Sequence, residues 1–521
     1  MNRTAPGVAG GPACSTRAGA AGMRVPTPRG DARPMTPPLP SSDNAPTPRR
    51  RGKLLWGGAG VGVAVLAGGL FLWSPRPPSP GSTPRDTHDA HGASHADHTH
   101  EAPKAKSQAP MEVLVQTDRA ARAAATGQRA QAHEALAAAL KLAPQHAPAL
   151  LVKACLALEE GQDTEASDAL RRLEAAAPGA PEAKLLARLS ELRRTPGMDW
   201  QQAFRQAWVD LGQPDLQQSE LLPGAAPLPP DPAIAAAAKA AWERAASDDV
   251  RLMLALGSPR LDADKALFLL RQVPRLEDPS LFVAVMDVLR GEALPQSSHD
   301  EARTVFRQKL EALAAANPRA MQIQLLLLLG DTEPGSEMSA AEIDRLEQVA
   351  ALPVWREGVF TRTYEEARKL LEGSGVPDVS ATAMAVAAHS VTDRGSWVLR
   401  TRNVGTRGSL SPEGRKRLGR ITRDIGTRMA EQPTMVERVV GLQLVRGGAQ
   451  EMGDEAGREQ ALARIEALEG AVTLFRKASM DRWPLHALTE ALIQASTRDE
   501  PAYLLSFTRV EANQAAETQQ P

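Results

Sequence analysis

The chain has 521 residues, and its 61 basic and 62 acidic side chains leave a net charge of −1. This balance excludes a general electrostatic attraction to nucleic acid or anionic membranes, and two isolated cysteines, Cys14 and Cys155, exclude a disulfide framework or a zinc ribbon. Aromatic residues make up only 3% while Ala and Leu dominate, which favours helices over sheets.

The N-terminal segment is rich in proline and poor in large apolar side chains. Such a segment cannot bury enough surface to fold. We expect residues 1–53 to form a disordered tail.

An uncharged apolar run, LLWGGAGVGVAVLAGGLFLW, follows at residues 54–73. As a helix it would span about 30 Å, the thickness of one hydrocarbon core. Trp56 and Trp73 bracket it, as in an interfacial aromatic belt. Basic residues cluster just before the run, at Arg49, Arg50, Arg51 and Lys53. The positive-inside rule therefore predicts a transmembrane helix with a cytoplasmic N-terminus.

A cleaved signal peptide is the competing interpretation of this run. Its apolar core would be shorter and would end in a small-residue cleavage site, whereas Trp73, Ser74 and Pro75 stand at that point. We therefore favour the uncleaved anchor. The Ala-, Arg- and Pro-rich usage is typical of a GC-rich bacterium, which would place the anchor in the inner membrane and the C-terminal domain in the periplasm.

Residues 74–110 are again rich in proline and predict an extended, disordered spacer. The spacer contains the tract THDAHGASHADHTHE, with His88, His91, His95, His98 and His100. Imidazoles bind Zn, Cu or Ni, so the tract could hold a divalent transition metal weakly, without preformed geometry. The alternative is a polar linker.

A period of 34 residues begins after the spacer. Gly127 recurs as Gly161, and Pro144 recurs as Pro178. The other recurring pairs are Ala120 and Ala154, Ala132 and Ala166, and Leu136 and Leu170. Small residues would allow close helix packing, the glycines would form inter-helix turns, and the prolines would end the second helices.

This pattern resembles the tetratricopeptide repeat, a helix–turn–helix unit of the same period. Gln116 and Leu150 replace its usual Trp, and Arg119 and Lys153 replace a usual Leu. We predict repeats at 113–146 and 147–180 with a capping helix at 181–194, within a repeat region of residues 111–194.

The resemblance implies a concave surface lined by the first helix of each repeat. The corresponding positions are Leu114, Thr117, Ala121, Ala124, Pro148, Leu151, Cys155 and Leu158. This small and apolar surface would suit an apolar peptide segment. The alternative is that the repeats only pack against the rest of the domain.

A helix and a Pro-rich connection are expected at 195–232, then a helical domain at 233–512 and a disordered tail at 513–521. Ser298 with Glu301 and Ser339 with Glu342 predict capping boxes. The fold class is thus all-α, with the hairpins continuing into an irregular α-solenoid or helical bundle.

One helical stretch is strongly basic. Ser411 and Pro412 predict its start, and Leu418, Ile421, Ile425 and Met429 form its apolar side. Its basic side carries Arg415, Lys416, Arg417, Arg420 and Arg423, and Arg394, Arg400, Arg402 and Arg407 precede it. These residues could meet an acidic protein or lipid headgroups; the alternative is a solvated arginine face.

The chain contains no H-E-x-x-H, G-x-S-x-G, Walker or C-x-x-C motif. His299, His389 and His486 are single histidines, interpreted as packed or capping residues. We expect a membrane-tethered helical-repeat scaffold or adaptor that binds protein or peptide partners outside the cytoplasm, with no nucleic acid, no resident cofactor and no enzymatic activity. The alternatives are a metal-handling envelope protein and an enzyme whose all-helical site is assembled by folding.

Overall fold

The computed structural model describes residues 110–518 except 225–227, 229–230, 291–293, 357–359 and 393, with side chains up to residue 508. The regular elements of this part are α-helices and short 3-10 helices, without a strand, so the predicted all-α class is confirmed. Within the same residues no helix is both long enough and apolar enough to cross a bilayer. The anchor expected at 54–73, its flanks and the histidine tract lie outside the described residues.

The first six helices form three hairpins. They are α1 (Met111–Ala125) with α2 (Arg129–Leu142), α3 (Ala147–Glu159) with α4 (Asp163–Ala176), and α5 (Pro181–Arg193) with α6 (Trp200–Asp210). The first two are the predicted hairpins. Gly127 and Gly161 form their turns with φ of 73° and 69°, a left-handed conformation that favours glycine. The helix expected as a cap, α5, instead pairs with α6 in a third hairpin.

Nine helices follow in the middle of the chain. They are α7 (Pro232–Glu243), α8 (Asp248–Leu256), α9 (Ala263–Gln272), α10 (Pro279–Arg290), α11 (His299–Ala316), α12 (Met321–Leu329), α13 (Ala340–Ala350), α14 (Phe360–Leu371) and α15 (Val379–Ser390), with 3-10 turns at Val273–Arg275 and Gln296–Ser298. All except α13 contribute to one hydrophobic cluster.

The two predicted capping boxes have different outcomes. Ser339 accepts from the backbone N–H of Glu342, and Glu342 accepts from the backbone N–H of Ser339, so that box is confirmed. Ser298 makes no such bond, and that prediction is wrong. Its φ and ψ of −98° and −1° already belong to the preceding 3-10 turn, whereas a capping residue needs an extended backbone.

Three further helices are α16 (Arg394–Thr406), α17 (Pro412–Ala430) and α18 (Met435–Met452). As predicted, Ser411 caps α17 by accepting from the backbone N–H of Gly414 at 3.1 Å, with Pro412 in the first turn. The apolar side of α17 is buried with α12 and α13, at Leu418, Ile421, Ile425 and Met429.

Glycines set the distance between α17 and α18. A Cβ atom on Gly426 would lie 2.6 Å from the carbonyl oxygen of Gly441, and one on Gly448 would lie 2.4 Å from that of Gly419. Side chains cannot fit at these distances, so the two backbones touch directly. We call these four residues the glycine contact.

The last helices return to the first hairpins. They are α19 (Glu455–Ala478) and α20 (His486–Thr518), separated by a 3-10 turn at Met480–Arg482. α20 has a kink at Asp499 and extends into the stretch expected to be a tail. One hydrophobic cluster joins α3–α6 with α18–α20. Within it, the rings of Phe204 and Trp483 lie 5.6 Å apart, and those of Trp208 and Phe507 lie 6.4 Å apart.

Candidate functional site

The predicted concave surface lies mostly inside the protein. We define the hairpin face as its eight positions: Leu114, Thr117, Ala121, Ala124, Pro148, Leu151, Cys155 and Leu158. Leu151, Cys155 and Ala121 have no exposed surface, and Ala124 and Thr117 are almost fully buried. The other three are half-buried. Most of the hairpin face is therefore covered by the chain itself.

The start of α20 meets the C-terminal ends of α1 and α3. The imidazole Nδ1 of His486 lies 3.1 Å from the carbonyl oxygen of Ala125, and its ring packs against Gly127, where a Cβ would lie 3.1 Å from the ring. A carboxylate oxygen of Glu159 accepts from the backbone N–H of Ala487 at 2.6 Å. The hairpins thus hold a helix of the same chain.

Burial shifts the pKa values of two side chains at this junction, Glu159 and Cys155. It raises the pKa of Glu159, and the N–H groups of Ala487 and His486 partly oppose that rise. It also raises the pKa of the Cys155 thiol, with the nearby Glu159 carboxylate adding to the effect. Cys155 is therefore an unreactive, packed thiol rather than a nucleophile.

The predicted basic side of α17 does not act as one patch. Arg417 forms ion pairs with Asp344 and Glu347 of α13, and Arg423 lies 3.2 Å from its neighbour Asp424. Arg415, Lys416 and Arg420 form no ion pair with a described residue. Lys416 and Arg420 are exposed. Acidic neighbours thus neutralise part of the expected positive surface.

Arg402 has a structural role. Its side chain is buried and donates to the Glu342 carboxylate at 2.7 Å and to the carbonyl oxygen of Glu337 at 2.7 Å. The guanidinium of Arg402 lowers the pKa of Glu342 to about 2, although burial partly opposes that change. These bonds fix α16 against the start of α13.

The opposite face of α16 carries an exposed row that mixes apolar and basic side chains. Trp397, Arg400 and Val404 lie in α16 and Arg407 directly follows its end; their spacing of three, four and three residues places them on one helical face. We call them the α16 stripe. Trp397 and Val404 are 40% and 57% exposed. Two large apolar side chains on one face, with arginines between and beside them, form a typical interface composition.

The surroundings of the α16 stripe orient its arginines. Arg400 donates to the amide oxygen of Gln443 at 2.6 Å, and Arg407 lies 3.7 Å from Glu451. Both partners belong to α18. Along another edge of α16, a loop packs so closely that a Cβ on Gly405 would lie 2.2 Å from the carbonyl oxygen of Gly335. That loop exposes Glu333 and Glu337.

The three single histidines all have partners. Nδ1 of His389 lies 2.7 Å from a carboxylate oxygen of Asp287, and Nε2 of His299 lies 3.2 Å from the carbonyl oxygen of Leu294. His486 contacts Ala125 as described above. Across the described ranges, no group of three or more potential ligands could hold a metal ion.

An open cleft of about 340 Å³ lies between α7, α8 and α9. Its apolar wall includes Trp242 and Phe268, whose rings meet edge to face at 5.4 Å. Both acidic and basic side chains line the opening, at Glu243, Arg251, Asp264 and Arg271. The cleft is thus a mixed-charge surface feature rather than an enclosed pocket.

Sequence reasoning identified Arg400 and Arg407 as part of a basic stretch, but it missed Trp397 and Val404. The helical spacing of these four residues was the available signal, because Trp and Val at that spacing share a face with both arginines. Val398 and Leu399 weaken this signal, because they make α16 look apolar on more than one side.

No family model matches the chain, and no curated protein and no solved structure is significantly similar to it.

Proposed function

We propose that the protein is a membrane-tethered helical-repeat scaffold that binds a protein partner through the α16 stripe. Residues 54–73 would anchor it in the inner membrane, and residues 74–110 would hold the helical domain away from the bilayer on the periplasmic side. The hairpins resemble tetratricopeptide repeats. In this proposal they support the domain, because most of the hairpin face is covered by the chain.

The exposed Trp397 carries the proposal. Trp and Arg are the residues that most often dominate binding energy at protein interfaces. The α16 stripe places Trp397 one helical turn from Arg400 and two turns from Val404. The buried hydrogen bonds of Arg402 fix α16 in place. Binding through these side chains should therefore cost little conformational entropy of the backbone.

The partner we infer is an amphipathic helix with carboxylates beside its apolar residues. Its apolar side chains would cover Trp397 and Val404, and its carboxylates would face Arg400 and Arg407. An anionic bilayer is a poorer occupant. Glu333 and Glu337 are exposed on the neighbouring loop, and they would oppose a flat, negatively charged surface.

The test is crosslinked co-purification from native membranes with the full chain. Trp397→Ala combined with Val404→Ser should reduce the recovery of specific partners about tenfold or more. Leu142→Ser is the matched control, since Leu142 is as exposed as Val404 but lies on α2, and it should leave recovery unchanged. Equal recovery from all three proteins contradicts the proposal.

A second experiment distinguishes a protein partner from a membrane surface at the α16 stripe. The purified domain is mixed with vesicles of phosphatidylglycerol and phosphatidylethanolamine. Vesicle binding that is lost in the Trp397→Ala, Val404→Ser protein would assign the stripe to the membrane and overturn the protein-partner proposal.

The histidine tract supports a second candidate, a metal-handling role in the envelope. Five imidazoles lie between His88 and His100, and imidazole is a common ligand of Zn, Cu and Ni. Calorimetry with each metal should show binding that disappears when residues 88–100 are removed. Unchanged heats after the removal would contradict this role.

A further inference from the structure

α20 is interrupted at a defined point. Asp499 has φ and ψ of −158° and 83°, which are not helical. Its carboxylate accepts from the backbone N–H of Ala502 at 3.1 Å, and Pro501 stands in the first turn that follows. This is the arrangement of a new helix start. We call residues 500–508 the C-terminal segment, which begins at this hinge.

Glu500 joins the C-terminal segment to the start of α18. Its backbone N–H donates to the carbonyl oxygen of Pro433 at 2.9 Å, and its Oε2 accepts from the backbone N–H of Met435 at 2.8 Å. The side chain is only 7% exposed. Its Oε1 is buried and has no hydrogen-bond partner among the described residues.

The neighbouring carboxylate of Glu437 forms an ion pair with Arg356. Glu437 is fully buried and lies 2.8 Å from Arg356 Nε. It also accepts from Trp355 Nε1 at 3.0 Å and from Thr434 Oγ1 at 2.7 Å. The guanidinium of Arg356 thus lies directly against Glu437.

Two other charged groups at the hinge lie close to each other, and the adjacent Arg498 forms no ion pair with a described residue. Arg438 of α18 lies 3.5 Å from Asp499. Glu500 itself forms no ion pair with a described residue. Burial raises its pKa to about 8; the N–H of Met435 opposes the rise and the Glu437 carboxylate adds to it.

Apolar contacts hold the rest of the C-terminal segment in place. Leu504 and Phe507 are almost fully buried, and Phe507 meets the rings of Trp208 and Phe475 edge to face. Detachment at the hinge would uncover Trp208 and Phe475, which belong to α6 and α19. The start of α20, on the other side of the kink, would keep its contacts with the hairpins.

We propose that Glu500 is a proton-controlled latch, which keeps the C-terminal segment docked while its carboxyl group is protonated and releases the segment when the proton is lost. The released carboxylate becomes hydrated, so the buried negative charge beside Glu437 is removed. Neither the hinge at Asp499 nor the apolar contacts need to change chemically for this to occur.

Hydrogen exchange of the full chain in detergent tests the latch between pH 6 and pH 9. After correction for intrinsic exchange, the opening constant of residues 500–508 should rise roughly 50-fold from pH 6 to pH 8 and then level off. This follows because the docked carboxyl holds its proton up to about pH 8, whereas the released one returns to its ordinary value near 4.5.

Glu500→Gln should remove this dependence, because the amide keeps an oxygen for the N–H of Met435 and cannot ionise. Glu366→Gln, a change at a half-exposed carboxylate of α14, is the control and should keep the wild-type profile. The proposal is overturned if the wild type and Glu500→Gln behave alike. It is equally overturned if peptides of α17 and α18 lose protection together with the segment, since that pattern is global unfolding.

Discussion

The hairpin face and the α16 stripe are both helix faces with apolar side chains, but the chain covers only one of them. Leu151 of the hairpin face has no exposed surface, whereas Val404 of the α16 stripe is 57% exposed. The hairpin face was predicted for binding, whereas only Arg400 and Arg407 of the stripe were. The difference lies in packing, because the hairpin face packs among α1, α2 and α3 and, through Leu151 and Cys155, into the cluster that includes α18–α20, whereas Val404 stays exposed.

The largest expected effect comes from truncating the covered face. Leu151→Ala should lower the free energy of unfolding by about 2–5 kcal/mol, because it removes a fully buried side chain and leaves a cavity. Denaturant unfolding measures the change. A loss below about 1 kcal/mol would mean that Leu151 is not buried in solution, and the comparison would fail.

The Arg402–Glu342 ion pair, which fixes α16, should make the free energy of unfolding depend on pH. Arg402 holds the pKa of Glu342 at about 2, below its ordinary value of 4.5. A depressed carboxyl pKa stabilises the fold above pH 4.5, and this stabilisation is lost as the pH falls toward 2. Glu342→Gln should therefore cost about 1–2 kcal/mol at neutral pH, since the pair is partly open to solvent.

Thermal unfolding of the wild type and Glu342→Gln across this pH range checks the Glu342 prediction. The two curves should converge near pH 2. A constant difference at every pH would show that the loss comes from the capping box rather than from the charge of Glu342.

Comparing alanine substitutions at two equivalent glycines tests the contact between the hairpins and α20. Gly127→Ala and Gly161→Ala share the cost of a left-handed backbone, about 1 kcal/mol each. A Cβ would meet the His486 ring at position 127 but nothing within 4 Å at position 161. Gly127→Ala should thus be more destabilising, by up to about 1 kcal/mol. Equal losses in denaturant unfolding would argue against the packing of His486 on this turn.

The smallest change in stability is expected on the exposed face. Val404→Ser should alter the free energy of unfolding by less than about 0.5 kcal/mol, since its side chain makes few contacts. Denaturant unfolding beside Leu151→Ala gives the direct contrast. A loss above about 1 kcal/mol would mean that the α16 stripe packs within the domain.

The sequence predicted features that depend on neighbouring residues. The turns at Gly127 and Gly161, the capping box at Ser339 and the cap at Ser411 were all correctly located, because each is set by a few adjacent residues. The same local rule failed at Ser298, where a short 3-10 turn occupies the capping position. The Ser298 pattern therefore failed because the backbone at the capping position is not extended.

Long-range packing was not predictable in the same way. No pattern in the repeat region indicates that His486 and Ala487 will contact α1 and α3, because those residues lie more than 300 positions further along the chain. The burial of Glu500 likewise depends on Pro433, Met435 and Glu437 folding around it. Such sites arise from several elements at once, and one sequence does not contain their geometry.

The glycine contact between α17 and α18 also defines a fingerprint for this fold. Gly419 and Gly426 are separated by six residues, as are Gly441 and Gly448, with fourteen residues between the two pairs. Because each backbone touches the other at these points, a larger residue at any of them would move a helix. Distant relatives of the protein should thus retain G-x6-G-x14-G-x6-G even where every other position has diverged.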